Sequence, residues 1–217
     1  NGETVIPFDE IAQDHKRAYD NDEGANTGGM GAYTPVLQIS DEARRQAVEE
    51  VVIPVCRGLA NEGTPYHGFL YAGLIATKDG VKVIEFNARL GDPETQVLLE
   101  KLDSDIMEVI EAVYNNEKVD LTWSNDTVLG VVLAAEGYPA DYVKNAEVDN
   151  FDLDGNYYVA ALKEEDDKWY STGGRVLLAY GRGADLASAK ENAYKEVEKL
   201  KADKLFYRKD IGNKGLK

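Results

Sequence analysis

With 217 residues, 43% of them hydrophobic and 29% charged, the chain can bury one large core or two small ones, which excludes a disordered or fibrous class. A formal net charge of −16 sets it against nucleic-acid phosphates and anionic membranes, but phosphate ligands can still be held by local cations, backbone N–H groups or a metal ion. The single cysteine, Cys56, excludes an intrachain disulfide, lies in an apolar run as a structural thiol would, and fits a reducing cytoplasm.

In chain order, Asn1-Gly2 reads as a turn and Thr4-Val5-Ile6 as a strand. A strand there lacks upstream neighbours, so the chain is expected to be a fragment of a longer protein. Asp20 to Thr34 is a polar segment rich in Gly, Asn and Asp. Ser40 predicts an N-cap, with Asp41 and Glu42 in the first turn of a helix toward Asn61 that Pro54 should bend. Phe69–Thr77 and Val81–Asn87 predict a hairpin around Lys78-Asp79-Gly80. Asp92-Pro93 predicts the N-cap and first residue of a helix, and Ile106, Val109, Ile110 and Val113 have the spacing of one buried helical face.

The polar stretch from Asn115 to Asp126 breaks the periodicity, so a domain boundary is expected near Asp120, dividing residues 1–119 from 120–217. Strands are predicted at Thr127–Ala135, Asn156–Leu162, Lys168–Ser171 and Arg175–Tyr180, the last two joined by Thr172-Gly173-Gly174. Asp185 should cap a final helix that turns Leu186, Ala189, Ala193, Val197 and Leu200 inward. Hairpins mixed with helices favour an α+β fold over a doubly wound sheet.

The strand Val83-Ile84-Glu85-Phe86-Asn87 carries the sharpest chemical pattern. Alternation puts Glu85 and Asn87 on one face, with Cα atoms about 6–7 Å apart, and Ile84 and Phe86 on the other, toward a core. A carboxylate and an amide oxygen suit a hard cation such as Mg²⁺, although a strand with a plain polar outer face reads the same way. Downstream, Gly91-Asp92-Pro93-Glu94 opens a helix whose free N–H groups suit an anion, and Arg89 adds a forked cation; an ordinary capped helix is the other reading. The Gly28-Gly29-Met30-Gly31 loop can bring bare backbone to a ligand or be a flexible turn. Asp14-His15-Lys16-Arg17 is either a polar site or a solvated turn. No zinc-spaced cluster or nucleophile elbow is present.

Taken together, several segments resemble the phosphoribosylamine–glycine ligases of the ATP-grasp superfamily. They are Gln-Asp-His-Lys-Arg at 13–17, Asn-Thr-Gly-Gly-Met-Gly-Ala-Tyr at 26–33 and Gly-Phe-Leu-Tyr-Ala-Gly-Leu at 68–74. Val-Ile-Glu-Phe-Asn-Ala-Arg-Leu-Gly-Asp-Pro-Glu-Thr-Gln at 83–96, Thr-Gly-Gly-Arg-Val-Leu at 172–177 and Arg-Lys-Asp-Ile-Gly at 208–212 complete the family's order over nearly the whole chain.

The resemblance implies the C-terminal part of an ATP-grasp domain followed by a small antiparallel-sheet α+β domain. It implies an enzyme of purine biosynthesis that joins glycine to 5-phosphoribosylamine, with ATP as co-substrate, Mg²⁺ or Mn²⁺ as the metal, and an acyl phosphate on the way. Glu85 and Asn87 would be the metal ligands. Arg89, Asp92 and Lys16 would act in catalysis. Gly28, Gly29, Met30, Gly31, Gly91, Pro93 and Glu94 would contact substrate, and His15 with Lys16 would face the ATP phosphates. The resemblance also implies a missing N-terminal half bearing an adenine-covering lid, without which this chain should fold but not ligate. The family commonly has His-Ala-Gly-Thr where this chain has Val159-Ala160-Ala161-Leu162, and the segment from Phe151 to Gly155 is short, so no histidine role transfers there. Two other readings remain: a different ATP-grasp carboxylate–amine ligase, and a non-catalytic acidic half that docks on a partner chain, which an extensive apolar face around the first strands would favour and a fully polar surface would oppose.

Overall fold

A computed structural model describes residues 4–216, and the Asn1-Gly2 turn lies outside them. In chain order the first elements are β1 (Gln13–Asp14), β2 (Arg17–Tyr19), β3 (Glu23–Asn26), β4 (Gly31–Thr34), α1 (Asp41–Gln46), α2 (Ile53–Asn61), β5 (Tyr71–Thr77), β6 (Gly80–Asn87), α3 (Glu94–Leu99) and α4 (Ile106–Asn115). Then follow β7 (Thr127–Ala135), β8 (Tyr157–Val159), β9 (Leu162–Glu165), β10 (Lys168–Ser171), β11 (Arg175–Gly183), α5 (Leu186–Lys199) and β12 (Leu205–Phe206). No helix among the described residues is long and apolar enough to cross a membrane.

The chain divides into two compact units. The first comprises residues 4–10, Leu37–Gly91 and Leu102–Ser124; the second comprises Ile11–Val36, Asp92–Lys101 and the chain from Asn125. The last crossing falls between Ser124 and Asn125, and two earlier segments cross over as well. The physical reason is strand pairing, because Gly31–Thr34 hydrogen-bonds along Val128–Val131 and so joins the C-terminal sheet.

In the first unit, Ser40 caps α1 by accepting the Ala43 N–H. A π-helical stretch, Ala47–Val52, continues α1 into α2, and the Ile53 N–H reaches back to Val48 O. The widened turn lies just before Pro54, whose ring nitrogen has no hydrogen to donate. The predicted hairpin forms, with Thr77 facing Gly80 and Tyr71 facing Asn87. Thr4-Val5-Ile6 is not a strand. That segment is instead anchored by Phe8, whose ring packs edge-on against Phe69 and Trp123. In α4 the buried residues are Val109 and Ala112; Ile110, expected inward, is exposed.

The second unit is a sheet in the order β1-β4-β7-β11-β8, antiparallel throughout, with β12 also paired to β7. Every residue of β7 is buried, as expected of a central strand covered on both faces. Helix α5 lies over β11 and β7 and turns Ala189, Ala193 and Val197 inward, and Asp185 and Ser188 form a reciprocal capping box at its start. The strand expected over Asn156–Leu162 splits in two. Ala160 and Ala161 both donate to Val176 O, a bulge that ends β8 and sends β9 away to pair with β10.

Candidate functional site

In the first unit, β6 presents Glu85 opposite Gly73 and Asn87 opposite Tyr71. An irregularity between these pairs and Leu74↔Val83 leaves Ile84 without a partner. It lies before Glu85, so Glu85 and Asn87 keep their common face. Among the described residues no hydrogen bond or ion pair holds either side chain. Their oxygens therefore remain available, and a carboxylate and an amide suit a small hard cation that fills its shell from water and phosphate. No group of three or more His, Cys, Asp or Glu among the described residues could hold a metal by itself. Ile84 and Phe86, expected to enter a core, are exposed, Ile84 to 66%, and Ile75 and Val83 are exposed beside them. Arg89 is exposed and donates to Leu90 O at 2.8 Å, while Gly91 is buried.

In the second unit, the glycine loop runs into β4 and is pressed between neighbours. A Cβ on Gly29 would come within 2.3 Å of Pro93 Cδ and 2.7 Å of Asp14 Oδ1, and Gly29 has φ +123, a conformation that suits glycine alone. Gly28 is exposed and lies under the Arg175 guanidinium. The Met30 side chain is wholly buried and Gly31 is a buried strand residue, so the core takes two residues expected to line a substrate pocket. Asp92 is not the N-cap of α3. Pro93 occupies that position with no side-chain cap, while the Asp92 carboxylate accepts Arg175 at 2.8 Å and Gln96 Nε2 at 3.0 Å. The guanidinium and the Gln96 amide thus occupy both oxygens that a cap to backbone would use.

Asp14, Lys16 and Glu94 cluster beneath this loop. Lys16 Nζ lies 2.6 Å from Asp14 Oδ2, and the His15 N–H donates to Asp14 Oδ1 at 2.7 Å. Burial, aided by the charge of buried Glu94, pushes the Asp14 carboxyl up to about 6 against the pull of Lys16. His15 is 1% exposed, packed against Tyr33, with Nδ1 3.2 Å from Gly31 O. A carbonyl only accepts, so Nδ1 carries the proton. Burial first, then the positive charges of Arg208 and Lys214, lowers the ring to about 4, which keeps it neutral. The imidazole therefore props the loop from inside, where it was expected to face phosphates.

The structure thus gathers Lys16, Gly28, Gly29, Asp92, Pro93 and Glu94 in the second unit, and carries Glu85, Asn87, Arg89 and Gly91 on the first. Sequence reasoning assigned nothing to Asp14, Tyr138 or Arg175. Both Asp14 and Arg175 stood in segments already singled out, but Arg175 meets partners 83 to 147 residues away, which no local pattern announces.

Residues 1–95 match the family model described as phosphoribosylglycinamide synthetase, ATP-grasp (A) domain, and residues 128–214 match its C domain. The chain is 50% identical over 219 aligned residues to a phosphoribosylamine–glycine ligase of Halalkalibacterium halodurans, covering 100% of this chain and 51% of that protein. The ligase of Listeria monocytogenes serotype 4b is 47% identical over 99% of this chain and 52% of its own length. The chain therefore spans about half the length of the curated relatives it matches. The crystal structure of phosphoribosylamine–glycine ligase from Thermotoga maritima superposes with a TM-score of 0.85 at 34% identity, over 93% of this chain and 51% of that one. A biotin carboxylase from Campylobacter jejuni, 16% identical with a TM-score of 0.59 over 85% of this chain and 41% of its own, shares the fold alone. An α+β chain with an open Glu-x-Asn strand, a compressed glycine loop, and these matches along its length belongs to the phosphoribosylglycinamide synthetase family of ATP-grasp ligases.

Proposed function

We propose that this chain is the C-terminal half of a cytoplasmic ligase that joins glycine to 5-phosphoribosylamine at the expense of ATP. The observation that carries the reading is the pairing of Glu85 and Asn87 on one face of β6, in a chain aligned throughout with glycine ligases. A glycine carboxylate is a poor electrophile. Transfer of the γ-phosphoryl group gives it a leaving group, the phosphoribosylamine nitrogen attacks, and phosphate departs with ADP as the other product. Such chemistry is mainly positioning and neutralisation of phosphoryl charge. Bound Mg²⁺ or Mn²⁺ would supply that neutralisation at the ATP oxygens. Glu85 would offer it a charged oxygen and Asn87 a neutral one. Arg89 would hold the glycine carboxylate or its acyl phosphate in a planar fork. Lys16 would add a cation for the phosphates, and the Gly28 backbone a bare surface for substrate. Asp92 and Glu94 would shape the turn beside it, with Gly29, Pro93 and neutral His15 as supports.

Coupled measurement of ADP release by the full-length protein tests this. Release that needs both glycine and phosphoribosylamine is expected; release driven by another carboxylate, with none from glycine, would favour a different ATP-grasp ligase. Exposed Val83, Ile84 and Phe86 on β6 support a second reading, in which this half docks on a complementary chain. Mixing it with the N-terminal half of a relative should then restore ADP release.

A further inference from the structure

We propose that Arg175 is a positioning residue of the ligase, clipping the Gly28-Gly29 backbone to the Asp92-Pro93 turn so that both keep the separation the reactants require. The proposal rests on the functional reading above. Arg175 opens β11 and is 21% exposed in its side chain. Its NH1 points at three carbonyls, Asp92 O at 2.9 Å, Gly28 O at 3.2 Å and Gly29 O at 3.4 Å, while NH2 donates to Asp92 Oδ2 at 2.8 Å. One planar fork therefore grips two segments far apart in sequence, which the single ammonium of a lysine could not do.

The neighbours complete the clip. A Cβ on Gly28 would fall 2.9 Å from Arg175 Cζ, so the guanidinium lies flat on bare backbone. The Gly28 N–H donates to the Tyr138 hydroxyl at 3.0 Å, and the Tyr138 ring fills the space a Cβ on Gly174 would take, 2.3 Å away. Both backbone polar groups of Gly28 are thereby satisfied by Tyr138 and Arg175. Further along, Met30 and Gly31 are held by strand bonds to β7 and to His15 O. The exposed end of the loop relies on Arg175. The same contact pairs the Asp92 carboxylate with the guanidinium and so orders the turn. Arg175 itself acts through the backbone, without touching the reactants.

Two measurements on Arg175→Met and Arg175→Lys test the clip. In the present 217-residue chain, amide hydrogen exchange at Gly28 and Gly29 should quicken roughly tenfold or more, while Met30, Val131 and Leu178, held by strand bonds, keep their protection and so report a folded sheet. In the full-length ligase, kcat should fall roughly 100-fold with the KM for ATP changed less than about twofold, since a displaced loop costs rate more than nucleotide affinity. Lysine should rescue little, because charge without the fork cannot bridge both segments. Unchanged exchange, or faster exchange with unchanged kcat, would overturn the proposal. Lost activity with unchanged exchange would overturn it too, in favour of direct contact with substrate. If the unaltered full-length protein releases no ADP with glycine and phosphoribosylamine, the ligase reading fails, and exchange alone still decides whether Arg175 holds the loop.

Discussion

Gly73 lies directly opposite Glu85 across the β5–β6 ladder, and a Cβ at that position would meet Glu85 Cγ at 3.1 Å. That is tighter than ordinary contact, so the carboxylate owes its place to the missing side chain across from it. Gly73→Ala should be absorbed by a shift of a few tenths of an ångström. Gly73→Val should turn Glu85 away from Asn87 and raise the Mg²⁺ concentration for half-maximal activity of the full-length ligase roughly tenfold. A metal titration that gives the same midpoint for Val and Gly would separate Glu85 from the metal.

Glu85→Gln removes the charge and keeps the size. Turnover of the full-length ligase should fall roughly 100-fold or more if Glu85 is a metal ligand. Because Glu85 is exposed and held by no bond, the unfolding free energy of the present chain should move by less than about 0.5 kcal/mol. A wild-type rate at ordinary Mg²⁺ concentration would remove Glu85 from the site.

What was legible in the sequence follows from range. The hairpin could be read because Lys78-Asp79-Gly80 and the alternation beside it are local, and the final helix because Asp185 and Ser188 act within one turn. Gly31–Thr34 was hidden in a polar segment. All four residues are buried and β4 pairs on both sides, so it shows no alternation to mark it as a strand. Ile84 and Phe86 were expected inside because alternation reports which residues share a face, and says nothing of whether anything covers it. Likewise Asp92 carries every mark of an N-cap in its own segment, but Arg175, 83 residues on, and Gln96 take its carboxylate oxygens.

Arg208 offers a test of stability independent of catalysis. Its side chain is 1% exposed and forks onto Asp210, with two bonds of 2.8 Å, while NH1 donates to Arg17 O at 3.0 Å and Asp22 Oδ1 at 3.2 Å. It pins the C-terminal segment to the start of the second unit. Arg208→Met should leave Asp210 partly buried with the Asn21 N–H but without its cationic partner, and cost on the order of 3 kcal/mol. Urea unfolding of the present chain measures this, and a loss below about 1 kcal/mol would show that the fork is dispensable.

The neighbouring Asp14 and His15 make opposed contributions to stability in the same pH range. Asp14 is raised from an ordinary 3.8 to about 6, mainly by burial and then by Glu94. Between those values the folded chain holds a proton that the unfolded chain has released, so this group's contribution falls as pH rises through the window. His15 is lowered from 6.5 to about 4, mainly by burial and then by Arg208 and Lys214. There the unfolded chain binds a proton that the folded chain refuses, so its contribution grows as pH rises. The two shifts are similar in size and opposite in sign, and together they leave a nearly flat profile. Asp14→Asn removes the falling part. Its stability relative to the parent should climb between about pH 4 and 6 by up to roughly 3 kcal/mol. His15→Gln removes the rising part, and its relative stability should fall over pH 4 to 6.5 by a similar amount. Titrating groups that do not interact with Asp14 or His15 are common to all three proteins and cancel in the differences. Urea midpoints at four pH values between 4 and 7 provide the check, and parallel profiles for the three proteins would show that neither group titrates abnormally in the fold.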